Sequence, residues 1–192
     1  MGRGLKRALI GLAPDDAFKQ AGGVESAGVK ADDTVLLVVD VKEVRHPLTR
    51  ATGTPVTPAA GLPTVTLDGD GKPAVTVPDG AAPTTLVVQP LIQGTGPVVT
   101  AGQTLSVHYT GLIWAGGKQF DSSWDRGAPD DIPIGTGKVL PGWDAGLVGQ
   151  TVGSQVLLVL PPDQAYGTSG NSQIGVTGTD TLVFVVDILD AY

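Results

Sequence analysis

Few residues of this 192-residue chain could carry covalent chemistry. There is no cysteine, and histidine occurs only at His46 and His108, too few to build a triad or a histidine metal centre. Gly135-Thr136-Gly137-Lys138 has the look of a phosphate loop. However, no glycine stands five residues before Gly137, and Val139 occupies the place of the required Ser or Thr; the stretch reads as a glycine turn. Asp68-Gly69-Asp70-Gly71 begins like a calcium loop but lacks the further carboxylates at the needed spacing, so no metal is expected. Asp121 and Arg126, five residues apart, fit either a buried structural ion pair or a functional one, and Asp121 ahead of Ser122-Ser123 also fits a turn cap. Taken alone, Trp143 and Phe184 read first as core aromatics.

The elements that would position these residues are short. Leu105-Ser106-Val107-His108-Tyr109-Thr110 alternates, placing Leu105, Val107 and Tyr109 on the inward face. His108 points the other way and reads as a surface or edge residue. Leu112-Ile113-Trp114 and Gln119-Phe120-Asp121 flank a turn at Ala115-Gly116-Gly117-Lys118. Val156–Leu160 and Thr181–Val186 are apolar runs bounded by Gly, Pro and Asp. The best helix candidate is brief, Gly142 to Gly149, with Trp143, Leu147 and Val148 on one face. Many strands and one short helix predict an α+β fold, a sheet curled over that helix.

Ahead of this region, residues 51–82 hold five Pro and five Gly. Residues 46–82 read as a Pro/Gly-rich linker or extended segment, within which Pro63–Leu67 and Pro73–Val77, alternating around Asp68–Gly71, have the pattern of a hairpin. Charge is uneven: residues 1–50 net +1, 51–82 net −2 and 83–192 net −6. An acidic domain with only Lys118, Arg126 and Lys138 as cations repels phosphate backbones, so no nucleic-acid partner is expected. No apolar run approaches the roughly 20 residues of a membrane-spanning helix. Ala8–Ala13 is shorter than a signal-peptide core and runs into Pro14-Asp15-Asp16. The chain from Met1 therefore reads as cytoplasmic; a lost N-terminus would leave room for an export signal or lipid anchor.

The chain also repeats itself. Gly4–Gly11 matches Gly142–Gly149, Pro14–Phe18 matches Pro162–Tyr166, and Asp33–Asp40 matches Asp180–Asp187. The first offset is 138 and the later ones 148 and 147, which predicts that residues 1–45 form the closing half of a second copy with one strand deleted. Residues 83–192 would be the complete copy.

Val107-His108-Tyr109-Thr110-Gly111, Phe120-Asp121 with Arg126-Gly127, Val139-Leu140-Pro141-Gly142-Trp143, Pro161–Gly167 and Leu182-Val183-Phe184 form a distinctive series. In order, spacing and residue type it resembles the FK506-binding-protein (FKBP) family of peptidyl-prolyl cis-trans isomerases across residues 83–190. The resemblance implies an FKBP-like half-barrel, an antiparallel sheet wrapped around one short helix with a pocket between. It implies a catalytic set of Tyr109, Phe120, Asp121, Trp143, Tyr166 and Phe184, with Trp143 as the floor. Arg126, Val139, Leu140 and either Ile174 or Val176 would contact substrate. The substrates would be proline-containing polypeptides, with FK506-like macrolides as a further ligand class, and no cofactor is implied. The chemistry implied is rotation of an X-Pro amide held twisted in a dry aromatic pocket, without acid, base or nucleophile. The competing reading is a non-catalytic proline-peptide-binding or chaperone-like module. Departures from the family pattern are Asp130 and Ile132, where aromatic residues are common, Lys138 in place of an acid, and Asn171 in place of a His. In the early copy, Leu5 and Phe18 would stand in place of Trp143 and Tyr166, so no active site is expected there.

Overall fold

A computed structural model describes residues 6–18, 22–41 and 45–192. The chain divides into two compact units, Met1–His46 and Pro47–Tyr192.

The second unit is built on one antiparallel sheet. Its strands are β5 (Gly53–Pro55), β8 (Val87–Gly94), β9 (Thr104–Ile113), β10 (Gln119–Ser122), β11 (Asp130–Pro133), β12 (Gln155–Leu160) and β13 (Leu182–Ala191). They lie in the order β10-β9-β13-β12-β8-β5, with β11 pairing β9 beyond β10. The apolar runs become the two central strands, since β12 and β13 are buried along nearly their whole length. A strand buried on both faces needs a layer on each side. One layer is the helix α2 (Pro141–Leu147), whose Trp143 and Leu147 join Leu105, Val107, Leu158, Leu160, Phe184 and Val186 in the main core. Gly146 lets α2 lie close to the sheet, because a Cβ there would come within 2.7 Å of Leu158.

The other layer comes from residues ahead of the domain. β6 (Thr64–Leu67) and β7 (Pro73–Thr76) pair as a hairpin. With Leu62 and Val77, their Val65 and Val75 pack against Leu91, Leu112, Trp114, Leu157, Val159, Val183 and Val185. Residues 47–82 thus lie within the same compact unit as the domain they precede. β5 adds to the outer edge of β8, and just before it the Ala51 N–H donates to Asp187 Oδ2 at 2.7 Å. His108 is not at the surface. It is 8% exposed, stacked on Trp124 at 4.0 Å, with Nδ1 2.9 Å from Ser123 Oγ. The outward face of β9 is covered there by the short helix α1 (Ser123–Arg126), a tertiary contact that alternation along one strand does not report.

In the first unit, β1 (Lys6–Leu12) pairs antiparallel with β4 (Val35–Val41), and β2 (Gly23–Val24) with β3 (Val29–Lys30). This corrects the expected repeat alignment. The described part of Gly4–Gly11 is strand rather than helix, and Ile10 opposes Leu37 as Leu158 opposes Phe184. The offset is therefore 148 from β1 through the Pro14–Asp16 turn and 147 thereafter, with no strand deleted. Physically, Ala8-Leu9-Ile10 is an apolar run that can pair with β4, whereas the helix match rested on glycine spacing. Gly4 and Leu5 lie outside the described residues, and the equation of Leu5 with Trp143 lapses with the alignment. Further equivalences follow. Pro14–Asp16 and Pro162–Gln164 are both 3-10 turns, closed by Ala17 and Ala165 at the uncommon φ/ψ of −103/−111 and −120/−121. Val24 pairs Val29 as Asn171 pairs Val176. Asp33 caps the Lys30 N–H as Asp180 caps that of Thr177.

Asp187 generates a stability prediction. It is 1% exposed, and burial pushes its carboxyl up to about 6, against the opposing N–H donors of Ala51 and the Gln155 side chain. A folded-state pKa above the unfolded value means the native chain holds the extra proton. The associated stability is complete below the ordinary carboxyl pKa and is lost as pH rises through about 6. Between pH 4 and 7 the wild type should lose up to roughly 3 kcal/mol relative to Asp187→Asn in urea unfolding. Parallel pH profiles for the two proteins would contradict this assignment.

Candidate functional site

Four ring systems meet where β9, β10, α2 and β13 converge. The alternation of β9 turns Tyr109 toward α2, which Pro141 starts at its first turn. Trp143 packs edge-on to Tyr109 (5.3 Å, 83°) and to Phe184 (5.2 Å, 88°), and Phe184 edge-on to Phe120 (5.7 Å, 90°). Such perpendicular arrangements suit the ring quadrupoles. They close a floor and two walls without filling the space between. Gly111 makes room for this cluster, since a Cβ there would lie 2.8 Å from Phe184 and 2.9 Å from Phe120.

The resulting cavity, ≈ 410 Å³, is lined by Tyr109, Phe120, Asp121, Val139, Leu140, Trp143, Tyr166 and Phe184, and also by Asp130, Ile132 and Lys138. Of the expected site residues, then, these first eight line one cavity. Arg126, Ile174 and Val176 are not among its walls. Val176 is 3% exposed in the core, Ile174 is half-buried against it, and Arg126 is hydrogen-bonded to the lining residues Asp121, Tyr109 and Asp130. Asp130, Ile132 and Lys138 stood out in the sequence only as departures from the family pattern. A second cavity, ≈ 430 Å³, lies between Ala82–Thr84 and Pro161–Asp163, but no aromatic ring lines it.

Charge around the main cavity is organised by Arg126. Its guanidinium donates to Asp121 Oδ1, to Asp130 Oδ2 at 2.6 Å and to the Tyr109 hydroxyl at 3.1 Å. Tyr109 in turn donates to Asp121 Oδ2 at 2.5 Å. Both Asp121 oxygens are therefore held, one by each partner, and the carboxylate is fixed at the cavity wall. The Arg126 guanidinium stays charged, its pKa raised by the hydrogen bonds to Tyr109 and Asp121. Burial raises the Tyr109 pKa, with the Asp121 hydrogen bond adding to it, so this phenol keeps its proton. Tyr166 is raised as well, mainly by burial. Helix α1 is anchored to β9 by Ser123, whose Oγ accepts from the Tyr109 N–H at 2.8 Å.

The loop leading into α2 is pinned from the helix itself. Asp144 accepts from the Gly135 and Gly137 N–H groups at 2.6 and 2.8 Å. Those amides, which would have to face an anion in a phosphate loop, are thus already used, and the loop presents Val139 and Leu140 to the cavity. The indole N–H of Trp143 is buried and meets no acceptor among the described residues; that of Trp124 is alike. Among the described residues no group of three or more His, Asp or Glu could hold a metal ion. With aromatic and apolar walls, the Tyr166 phenol and a fixed Asp121 carboxylate, the site is suited to an apolar ring bearing carbonyls.

Comparison with known proteins bears directly on this geometry. Residues 96–189 match the family described as FKBP-type peptidyl-prolyl cis-trans isomerase. An FK506-binding protein from Streptomyces anulatus is 42% identical over 118 residues, covering 62% of this chain and 95% of that protein. Among solved structures, AtFKBP13 is 31% identical with a TM-score of 0.52, covering 58% of this chain and 96% of that one. FkpA from Escherichia coli is 32% identical, also at 0.52, covering 69% of this chain and 52% of that one. The half-barrel expected from the sequence is the fold these neighbours share.

Gly111→Ala tests the packing of the cavity. The added methyl should push Phe120 or Phe184 off its position, destabilise the domain by about 1–3 kcal/mol and shift the near-ultraviolet aromatic signal. Unchanged stability and spectrum would show that the rings are not held as described.

Proposed function

The chain belongs to the FKBP-type peptidyl-prolyl cis-trans isomerase family, and on that premise we propose that the aromatic cavity binds an X-Pro segment and rotates its amide. The observation that carries this reading is the edge-to-face cluster of Tyr109, Trp143, Phe184 and Phe120 around an open apolar space with a phenol, Tyr166, on its wall.

Amide resonance sets a rotation barrier of roughly 18–20 kcal/mol, and X-Pro bonds left alone take tens to hundreds of seconds. Acceleration needs no bond to break. It needs the twisted amide to be bound better than the planar forms, each 1.36 kcal/mol of preference being worth tenfold. In this reading the proline ring sits on Trp143 between Phe120, Phe184 and Val139. The dry walls disfavour the strongly dipolar planar amide more than the twisted one, whose resonance is lost. Tyr166 donates its hydroxyl to a substrate carbonyl, and its raised pKa keeps the proton in place at neutral pH and above. Asp121, fixed by Arg126 and Tyr109, faces the rotating carbonyl as a positioned charge. Val139 and Leu140 offer backbone to the bound peptide, with Ile174 and Val176 backing the last long loop. FK506-like macrolides would occupy the same cavity, against an outer rim of Asp130 and Ile132 rather than aromatic rings.

Protease-coupled isomerisation of Ala-Xaa-Pro-Phe peptides tests the reading. Tyr166→Phe should lower kcat/KM about three- to tenfold, the worth of one neutral hydrogen bond. Asp121→Ala should lower it about ten- to hundredfold, because it also releases Arg126 and Tyr109. Wild-type activity indistinguishable from either variant would sink the assignment.

The charge at the rim makes a separate prediction. Lys138 lines the cavity without an ion-pair partner among the described residues, whereas Asp130 is held by Arg126. A Glu beside the proline should raise kcat/KM over a Lys there by about two- to fivefold, as an exposed ion pair allows. The preference should shrink in high salt and reverse in Lys138→Glu. Equal ratios in wild type and variant would exclude Lys138 as the cause.

A further inference from the structure

The first unit contains a ribbon that the second unit shows how to cover. On one face of β1–β4, Leu9, Leu36 and Val38 are 69%, 68% and 63% exposed, while their equivalents Leu157, Val183 and Val185 are each 0% exposed. On the other face Ile10, Leu37 and Val39 remain about two-fifths exposed, against full or nearly full burial of Leu158, Phe184 and Val186. A polar crossing recurs at the equivalent position of the two ribbons. Arg7 donates to both oxygens of Asp40 at 2.6 and 2.8 Å, where Gln155 donates to Asp187. A two-stranded ribbon that is apolar on both faces is marginal alone, and its open edges are templates for added strands.

In the second unit the same ribbon, β12–β13, is flanked by β8 along β12 and by β9 along β13, and α2 lies across its inner face. All three precede the ribbon in sequence. We propose that β1–β4 is the closing hairpin of a second domain of this fold, and that it docks a front-half segment carried N-terminal to it in the same polypeptide. That segment would have the pattern of residues 87–147: one strand pairing along β1, one along β4, and a short apolar helix over Ile10, Leu37 and Val39. A second copy of the chain fits less well. Its ribbon could pair at the edges, but it would bring no helix for the inner face. Once completed, the domain would hold Phe18 and Leu37 at the positions of Tyr166 and Phe184, giving an apolar pocket without that phenol. This inference stands on the repeat and not on the activity of the second unit.

The offset of 148 dictates the test. Residues 83–153 placed directly ahead of Lys6, so that Gly153 joins Lys6, supply the front half from the chain's own sequence. Hydrogen exchange read by mass spectrometry would compare this extended chain with the unmodified one. Amides of Ala8–Leu12 and Val35–Val39 should exchange at least a hundredfold more slowly in the extended chain, and binding of the dye ANS should fall. The second unit's protection serves as the folding control. No slowing beside a normally protected second unit would overturn the proposal, as would slow exchange in the unmodified chain at a dimer's mass. If the extended chain does not fold, the reading frame upstream of Met1 decides. An open frame encoding the strand, strand and helix pattern supports the proposal, and an in-frame stop immediately upstream overturns it.

Discussion

The constraint on which the second unit rests is that β12 and β13 are apolar on both faces and must lose water on both. Every element around them can be understood as meeting part of that requirement. β8 and β9 satisfy the backbone groups along the two edges, α2 and the pocket aromatics cover one face, and the β6–β7 hairpin covers the other. Fully burying each Val or Leu contributes about 1.5–3 kcal/mol, so leaving either face bare would forfeit several such contributions. The hairpin, built from a Pro- and Gly-rich stretch, is therefore a structural layer of this unit.

The candidate site is a by-product of how the inner layer closes. α2 is only seven residues long and cannot cover the full inner face. At the N-terminal end of α2 the sheet is lined by rings rather than by a second helix. Trp143, Tyr109, Phe184 and Phe120 touch by their edges, which leaves space above the floor. Arg126 then fixes the polar side of that space by holding Asp121, Asp130 and Tyr109 together. The same residues thus serve core packing and the cavity. The ordinary reading of Trp143 as a core aromatic and the functional one are therefore compatible.

Much of this was legible in the sequence because it is local. The alternation of Leu105–Thr110, the apolar runs of β12 and β13, and the Pro141 start of the helix each have a period or a punctuation mark. The wide spacing of the five aromatic motifs carried the family resemblance, and with it the eight residues that now line one cavity. What stayed illegible depends on distant pairing. His108 is buried only because α1 folds back over β9 and Trp124 stacks on it. β5 joins the sheet edge through three residues that have no strand signature of their own. The repeat was visible, but its first block was misaligned. Gly4–Gly11 and Gly142–Gly149 share glycine spacing, while the pairing of Lys6–Leu12 with Val35–Val41 is a property of register. Lys138 and Asp130 appeared only as departures, since a rim charge has no periodicity.

The central claim is that the cavity accelerates rotation about X-Pro bonds rather than merely holding proline. Two-dimensional exchange NMR on a short Xaa-Pro peptide, with the protein at a small fraction of the peptide concentration, addresses it most directly. The account predicts that the cis/trans exchange rate rises in proportion to added protein while the cis/trans ratio stays fixed. Saturable shifts of the proline resonances with an exchange rate equal to that of the free peptide would contradict it.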